Sequence, residues 1–119
     1  MYVLCTGARD WDDIATVRRA LETLPPESHL VEGGAKGADA LCALVARELG
    51  FTVHEVRADW NRYGRAAGPL RNRKMLDEFP LIDIVFAFHR DLTQSRGTKD
   101  MVRQAGQRGI PVKIFTGGE

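Results

Sequence analysis

The chain has 119 residues, two cysteines and a net charge of +1. This length fits one domain with a single core that needs no disulfide to hold it. The small net charge argues against a general nucleic-acid coat, and no apolar run approaches the ~18–20 residues of a membrane span. We therefore expect a cytoplasmic protein without a membrane partner, with Cys5 and Cys42 as buried thiols.

The positive charge is concentrated in one short stretch. Residues 1–56 carry five basic and nine acidic side chains, residues 57–74 carry six and one, and residues 75–119 carry six and six. Such a block is often a solvated loop, and here it also contains aromatic residues, glycine and proline. We treat it as a candidate contact region for an anion.

Strand and helix patterns alternate through the first half of the chain. Alternating or continuous apolar runs predict strands, and apolar residues at helical spacing predict helices. Asp12 or Asp13 can cap the first helix, Pro25-Pro26 ends it, and Gly50 ends the second. The predicted elements are a strand at Tyr2–Thr6, a helix at Ile14–Leu24, a strand at His29–Glu32, a helix from Ala38 to Leu49 and a strand at Thr52–Arg57.

The second half continues the alternation. It predicts a helix from Pro69 to Phe79, a strand at Ile82–Phe88, a helix capped by Ser95 or Thr98 and ended by Gly109, and a strand at Pro111–Phe115. This order implies right-handed βαβ units. We predict an α/β fold: a single Rossmann-like three-layer domain over residues 1–119, with a mostly parallel five-stranded sheet and helices on both faces.

Ligands of such sheets bind beyond the carboxyl ends of the strands. Four segments should lie there: Gly7–Trp11, Gly33–Asp39, Asp59–Lys74 and His89–Thr98. Glu32–Asp39 is the most distinctive, because Gly33, Gly34 and Gly37 lie between a strand and a helix. Glycine lets a phosphate approach the backbone and the free N–H groups of a helix start. The alternative is a tight turn that uses glycine only for its dihedral angles.

Ser95–Thr98 forms a second turn of similar composition, and two such turns at one edge favour a polyanionic ligand. Neither turn has the spacing of a dinucleotide fingerprint or a P-loop, so a dehydrogenase and a P-loop NTPase are disfavoured and no cofactor is expected. Paired carboxylates, a metal-ligand cluster and a Ser-His-Asp order are also absent, so we expect no metal.

The predicted third helix begins with a cationic segment, Arg71–Lys74, where the helix dipole disfavours positive charge. A bound phosphate would compensate, with Arg71 and Asn72 inward and Lys74 in support, although solvation alone would also suffice. Trp11 and Trp60 could each stack on a base, or each could plug the end of the sheet. The candidate ligand-binding residues are Gly7, Arg9, Gly33, Gly34, Lys36, Gly37, Asp39, Arg71, Asn72, Lys74, Ser95, Arg96, Gly97 and Thr98.

Five segments together resemble a known family. They are Gly7–Trp11, Gly33–Asp39, Ala58–Trp60, Gly68–Met75 and Ser95–Thr98. In this order they are similar to the YspA-type, cpYpsA-related branch of the SLOG superfamily, Rossmann-like relatives of DprA and the LOG phosphoribohydrolases. The resemblance implies nucleotide or nucleotide-derived ligands at the glycine turns. It leaves open whether chemistry follows, because the superfamily contains enzymes, sensors of nucleotide signals and DNA-binding recombination mediators.

The LOG enzymes cleave the N-glycosidic bond of nucleoside monophosphates with an Arg-Lys pair at a helix start and a PGGxGTxxE turn. Arg73-Lys74 is similar to that pair, and Asp100 lies near the position of the glutamate. The resemblance therefore implies Arg73 and Asp100 as candidate catalytic residues. The turn itself departs from the family pattern, because Gln94–Asp100 replaces it.

Three functions follow as hypotheses. The first is a binding module or sensor for a nucleotide-derived small molecule. The second is a phosphoribohydrolase-like enzyme in which Asp100 or Asp39 stabilises the ribosyl centre. The third is a DNA-binding or scaffold protein that uses the basic block, which the near-neutral total charge disfavours. A homo-oligomer is compatible with each of them.

Overall fold

A parallel sheet of five strands forms the centre of the molecule, in a computed structural model that describes residues 1–118. The strands are β1 (Tyr2–Gly7), β2 (His29–Glu32), β3 (Thr52–Glu55), β4 (Ile82–Phe88) and β5 (Val112–Phe115). Their order across the sheet is β3-β2-β1-β4-β5, and all neighbours pair in parallel. The strand order therefore reverses between β1 and β4, which is where such folds bind ligands.

The central strand β1 is buried on both of its faces. Val3, Leu4 and Cys5 are fully inaccessible to solvent. Leu4 pairs with Val31 of β2 on one side and with Val85 of β4 on the other. Continuous apolar runs are what a parallel strand covered by helices on both faces requires.

Helices cover both faces of the sheet. They are α1 (Ile14–Glu22), α2 (Ala38–Glu48), the short α3 (Trp60–Tyr63), α4 (Ala67–Glu78) and α5 (Gly97–Gln107). Val17 and Val45, from α1 and α2, join one apolar cluster, and Met75 and Met101, from α4 and α5, join the other. The predicted three-layer Rossmann-like domain is thereby confirmed. Within residues 1–118, no helix has both the length and the hydropathy that crossing a membrane requires.

Cys5 and Cys42 are both buried free thiols, as the sequence predicts. They lie in the cluster between the sheet and α2. Burial raises the pKa of the Cys42 thiol, and the neighbouring Cys5 thiol raises it further. Both side chains pack as small apolar groups in the core.

The segment between β3 and α4 differs from the prediction. It contains α3 and a 3₁₀ turn at Gly64–Ala66, and α4 begins at Ala67, two residues before Pro69. Asp59 starts this helical segment, because its Oδ1 accepts the N–H of Arg62 at 3.1 Å. As a result, Arg71–Lys74 lies in the second turn of α4, where the helix dipole acts more weakly than in the first turn.

Gly7 is required for the contact between β1, β4 and α2. A Cβ at this position would overlap the carbonyl oxygen of Phe88 and the Cβ of Ala38. We expect Gly7→Ala to lower the free energy of unfolding by about 1–3 kcal/mol, because neither neighbour is the end of a flexible side chain. Urea denaturation measures this change.

Gly106→Ala is the matched control, because a Cβ at this exposed position in α5 meets no atom within 4 Å. That substitution should raise stability by about 0.5–1 kcal/mol through helix propensity. Equal unfolding midpoints for Gly7→Ala and the wild type would contradict the packing argument.

Candidate functional site

A cleft of about 510 Å³ opens at the carboxyl edge of the sheet, around the switch point between β1 and β4. The loops after β1 and β4 line it, together with α3, the start of α4 and the start of α5. Nine of the residues singled out from the sequence line this cleft. They are Gly7, Arg9, Asp39, Trp60, Arg71, Ser95, Arg96, Gly97 and Thr98.

The glycine turn after β2 is folded around two carboxylates of its own chain. Asp39 Oδ2 accepts the N–H groups of Gly33 at 3.1 Å and of Ala35 at 3.3 Å. Glu32 Oε1 accepts the N–H of Gly34 at 2.7 Å. These three N–H groups are therefore occupied in this structure, and the turn is not the open phosphate cradle that its glycines suggest.

The N-terminus of α2 is also covered. The N–H of Ala38 donates to the carbonyl of Ala8 at 3.0 Å. Gly37 has a φ of 71°, and a Cβ there would overlap the carbonyl oxygens of Ala8 and Arg9. Gly37 is needed because the loop after β1 lies directly against it. This contact leaves the N–H of Ala38 unavailable to a ligand.

Both carboxylates of the turn have raised pKa values. Burial raises the pKa of Asp39 to about 6, although hydrogen bonds from Ala35 and Gly33 and the charge of Arg71 oppose this shift. Burial raises the pKa of Glu32 to about 7, against the effect of the Gly34 N–H. Glu32 Oε2 is buried without a hydrogen-bond partner among residues 1–118. A protonated Glu32 removes the cost of an unpaired buried charge.

Arg71 links α4 to this turn. Its Nη1 donates to the carbonyl of Gly33 at 2.7 Å, and its Nε donates to Asn72 Oδ1 at 3.1 Å. A Cβ at Gly33 would displace Nη1 of Arg71 from this position. Arg71 and Asn72 thus point inward, although only Arg71 lines the cleft.

The other three arginines of the cleft have no carboxylate partner among residues 1–118. Arg9, Arg65 and Arg96 are exposed, and none forms an ion pair within residues 1–118. The guanidinium of Arg9 lies 5.3 Å from the ring centroid of Trp60. By contrast, five other arginines pair with carboxylates: Arg18 with Glu48, Arg57 with Glu55, Arg90 with Asp12, Arg103 with Asp100 and Arg108 with Asp77.

The turn before α5 is capped by its serine. Ser95 Oγ accepts the N–H groups of Thr98 at 3.0 Å and of Lys99 at 3.2 Å. Such a cap satisfies two of the helix N–H groups that lack an intrahelical partner. Cationic side chains therefore supply most of the capacity of the cleft to hold an anion.

The structure does not bring Arg73 and Asp100 into the cleft. Arg73 is exposed on the outer side of α4. Asp100 accepts hydrogen bonds from Asn72 at 3.0 Å, Gln104 at 2.8 Å and Arg103 at 2.7 Å. Burial pushes the pKa of Asp100 up, but these three bonds outweigh it and leave the pKa lowered. Lys74 also lies outside the cleft and faces Glu78 at 3.8 Å.

Trp11 is buried, so it is not available to stack on a base. It is 2% exposed, its Nε1 donates to the carbonyl of Asp13 at 3.1 Å, and its ring packs 5.7 Å from that of Phe88. Its large apolar surface closes the end of the core, which is the alternative that the sequence left open. Trp60 is 47% exposed and lines the cleft.

Several residues of the site were not among the candidate ligand-binding residues, although the predicted edge segments Asp59–Lys74 and His89–Thr98 contain three of them. Arg65, Gln94 and His89 line the cleft, and Arg57 lines a smaller depression next to it, which also contains Gly33, Gly34 and Lys36. The charge block at residues 57–74 was the available signal for Arg57 and Arg65.

No group of three or more His, Cys, Asp or Glu side chains suited to a metal ion occurs in the described part of the chain.

Comparisons with known proteins identify the family of this chain. The sequence profile of the YspA, cpYpsA-related SLOG family (YAcAr) matches residues 1–63. The chain belongs to this family. The Gene 61 protein of Mycobacterium phage D29 is 40% identical in an alignment of 122 residues. The alignment covers 95% of this chain and 94% of that protein.

A solved structure shares the fold. The X-ray structure of DNA processing protein A (DprA) from Streptococcus pneumoniae superposes with a TM-score of 0.78 at 20% sequence identity. The match covers 98% of this chain and 50% of that chain, so this protein spans half the length of its structural neighbour. At this identity, the likeness establishes the Rossmann-like fold.

Ionisation of Glu32 should make stability depend on pH. The carboxyl ionises near pH 4.5 in its ordinary state and near pH 7 in the folded chain. Between these values folding takes up a proton, so this group stabilises the fold below about pH 4.5 and loses its contribution as pH rises through 7. Glu32→Gln keeps the acceptor for Gly34 but cannot ionise.

We therefore expect the stability of Glu32→Gln relative to the wild type to increase by about 2–3 kcal/mol between pH 4.5 and pH 8. Urea titrations of both proteins at the two pH values measure it. The comparison cancels other titrating groups, and a difference that is the same at both pH values would contradict the assignment.

Proposed function

We propose that the cleft binds a nucleotide or a nucleotide-derived small molecule, and that the protein acts as a binding module or sensor. The observation that carries this proposal is the set of four arginines around one cleft, none of which forms an ion pair with a carboxylate among residues 1–118. They are Arg9, Arg65, Arg71 and Arg96. Family membership supports a nucleotide-related ligand of this kind.

Phosphate is the anion that this arrangement suits best. Guanidinium groups form forked, charge-assisted hydrogen bonds with phosphate oxygens, each worth about 1.5–3 kcal/mol. Because the N–H groups of the glycine turn are occupied, the arginine side chains would make the phosphate contacts. Arg71 would hold its place through its bond to the Gly33 carbonyl.

The remaining parts of a nucleotide also have complementary groups. Asp39 lines the cleft, and its Oδ1 accepts no hydrogen bond from residues 1–118. A carboxylate oxygen without a hydrogen-bond donor can accept hydrogen bonds from the hydroxyl groups of a ribose. The exposed ring of Trp60 offers a surface on which a base would stack.

The positions of Arg73 and Asp100 favour a sensor over a hydrolase. Both residues lie outside the cleft, and Asp100 is held by three side-chain donors. A ligand bound by Arg9, Arg71 and Arg96 would therefore not contact the pair that the LOG resemblance implies. Binding without turnover is the function that this geometry supports best.

A phosphoribohydrolase is the second candidate, and Asp39 favours it. This residue is a buried carboxylate in the cleft, and its pKa is raised to about 6. Ionised, it could stabilise positive charge on a ribosyl centre while water attacks. The reaction would break the N-glycosidic bond, join the water oxygen to the sugar carbon and transfer one proton of that water to the departing base.

The arginine assignment predicts different effects for two exposed arginines. We expect Arg96→Ala to weaken the binding of a nucleoside monophosphate at least about tenfold, because it removes a charge-assisted contact. Arg73→Ala should leave the affinity unchanged, since Arg73 points away from the cleft. Isothermal titration against mono-, di- and cyclic nucleotides measures both variants.

Equal losses in Arg96→Ala and Arg73→Ala would contradict this assignment. If folded wild-type protein releases no heat with any nucleotide of the panel, the proposed function itself is wrong.

The hydrolase candidate predicts which carboxylate matters. If the protein releases free base from a nucleoside monophosphate, Asp39→Asn should lower the rate at least about a hundredfold, whereas Asp100→Asn should retain most of it. Chromatographic quantification of the base measures the rate. Loss of activity in Asp100→Asn with full activity in Asp39→Asn would reverse the assignment.

A further inference from the structure

A second, smaller lobe adjoins the cleft. It has a volume of about 240 Å³ and shares Arg9, Ala35, Trp60 and Arg71 with the main cleft. These four shared residues form the boundary between the two lobes. A ligand in the main cleft can extend past Arg9 and Arg71 into the second lobe.

The second lobe is built from small residues and cations. Gly33, Gly34, Ala35 and Ala58 form much of its wall, and Lys36 and Arg57 provide its own positive charges. Lys36 is exposed and forms no ion pair within residues 1–118. The small volume and the positive charge of the lobe suit a compact anion.

Gly34 shapes this lobe. It has a φ of 73°, and a Cβ would lie 2.9 Å from Cγ of Arg57 and 3.2 Å from side-chain carbons of Glu55. The absence of a side chain at this position thus lets Arg57 lie against the turn. Arg57 pairs with Glu55 at 2.7 Å, but this ion pair is largely exposed and its net contribution is small. An incoming phosphate can therefore compete for Arg57.

The charge of the two lobes exceeds what one phosphate can balance. Six cationic side chains line them, against a single carboxylate, that of Asp39. They fall into three pairs: Arg65 and Arg96 in the main cleft, Arg9 and Arg71 at the shared boundary, and Lys36 and Arg57 in the second lobe. A monoester phosphate at the boundary would leave Lys36 without an anion and Arg57 with only its exposed ion pair to Glu55.

We propose that the ligand carries at least two phosphate groups, with its nucleoside in the main cleft and its terminal phosphate in the lobe of Lys36 and Arg57. This inference rests on the proposed function and specifies the class of ligand. The first phosphate contacts Arg9, Arg71 and Arg96, and the nucleoside lies near Asp39 and Trp60.

The test compares a nucleoside monophosphate with the diphosphate of the same base, for example AMP with ADP and GMP with GDP. Isothermal titration in a metal-free buffer at one fixed salt concentration gives both affinities. We expect the diphosphate of at least one base to bind about ten to a hundred times more tightly than its monophosphate, as one or two added charge-assisted contacts would produce.

The variant Lys36→Gln tests whether the terminal phosphate binds in the second lobe. It should reduce this advantage at least about fivefold, because Lys36 lines only the second lobe. Lys99→Gln is the matched control, since Lys99 is an exposed lysine that lines neither lobe. It should change neither affinity.

Two results would overturn the inference while the proposed function stands: equal affinities for mono- and diphosphates, or the same loss for both ligands in Lys36→Gln. If no nucleotide of either kind binds to the folded protein, the proposed function fails, and the inference fails with it.

Discussion

The hydrogen bonds from Gly33 and Ala35 to the Asp39 carboxylate are the constraint on which the site depends. They fold the glycine turn back onto the first turn of α2, so that β2 and α2 meet around one buried charge. Arg71 then binds the Gly33 carbonyl and brings α4 to the same point. An isolated buried carboxylate would be costly, and these donors and the nearby guanidinium offset much of that cost.

Because this arrangement occupies the N–H groups of the glycine turn, side chains would bind the proposed anion. Arg9, Arg65 and Arg96 gather around the cleft without carboxylate partners, and their mutual repulsion opposes folding. A bound polyanion would remove that repulsion and stabilise the folded chain through mass action. The candidate site thus gathers arginines that lack a carboxylate partner, which is typical of positions kept for function.

Local patterns predicted the layers, and long-range contacts decided the site. His29–Glu32 and Ile82–Phe88 are strands at their predicted bounds, because continuous apolar runs between turn residues leave little choice. The start of α4 was missed because Asp59 caps a short helix within a segment that looked like a loop. Trp11 was ambiguous until its contact with Phe88 was known, and Asp39 reaches Gly33 only in the folded turn.

A crystal structure of the protein with a bound nucleotide tests the central claim most directly. The account predicts phosphate oxygens within hydrogen-bond distance of the guanidinium groups of Arg9 and Arg71. It also predicts that Asp39 keeps its bonds to the N–H groups of Gly33 and Ala35. A phosphate bonded to those N–H groups, with the Asp39 carboxylate displaced from the turn, would contradict it.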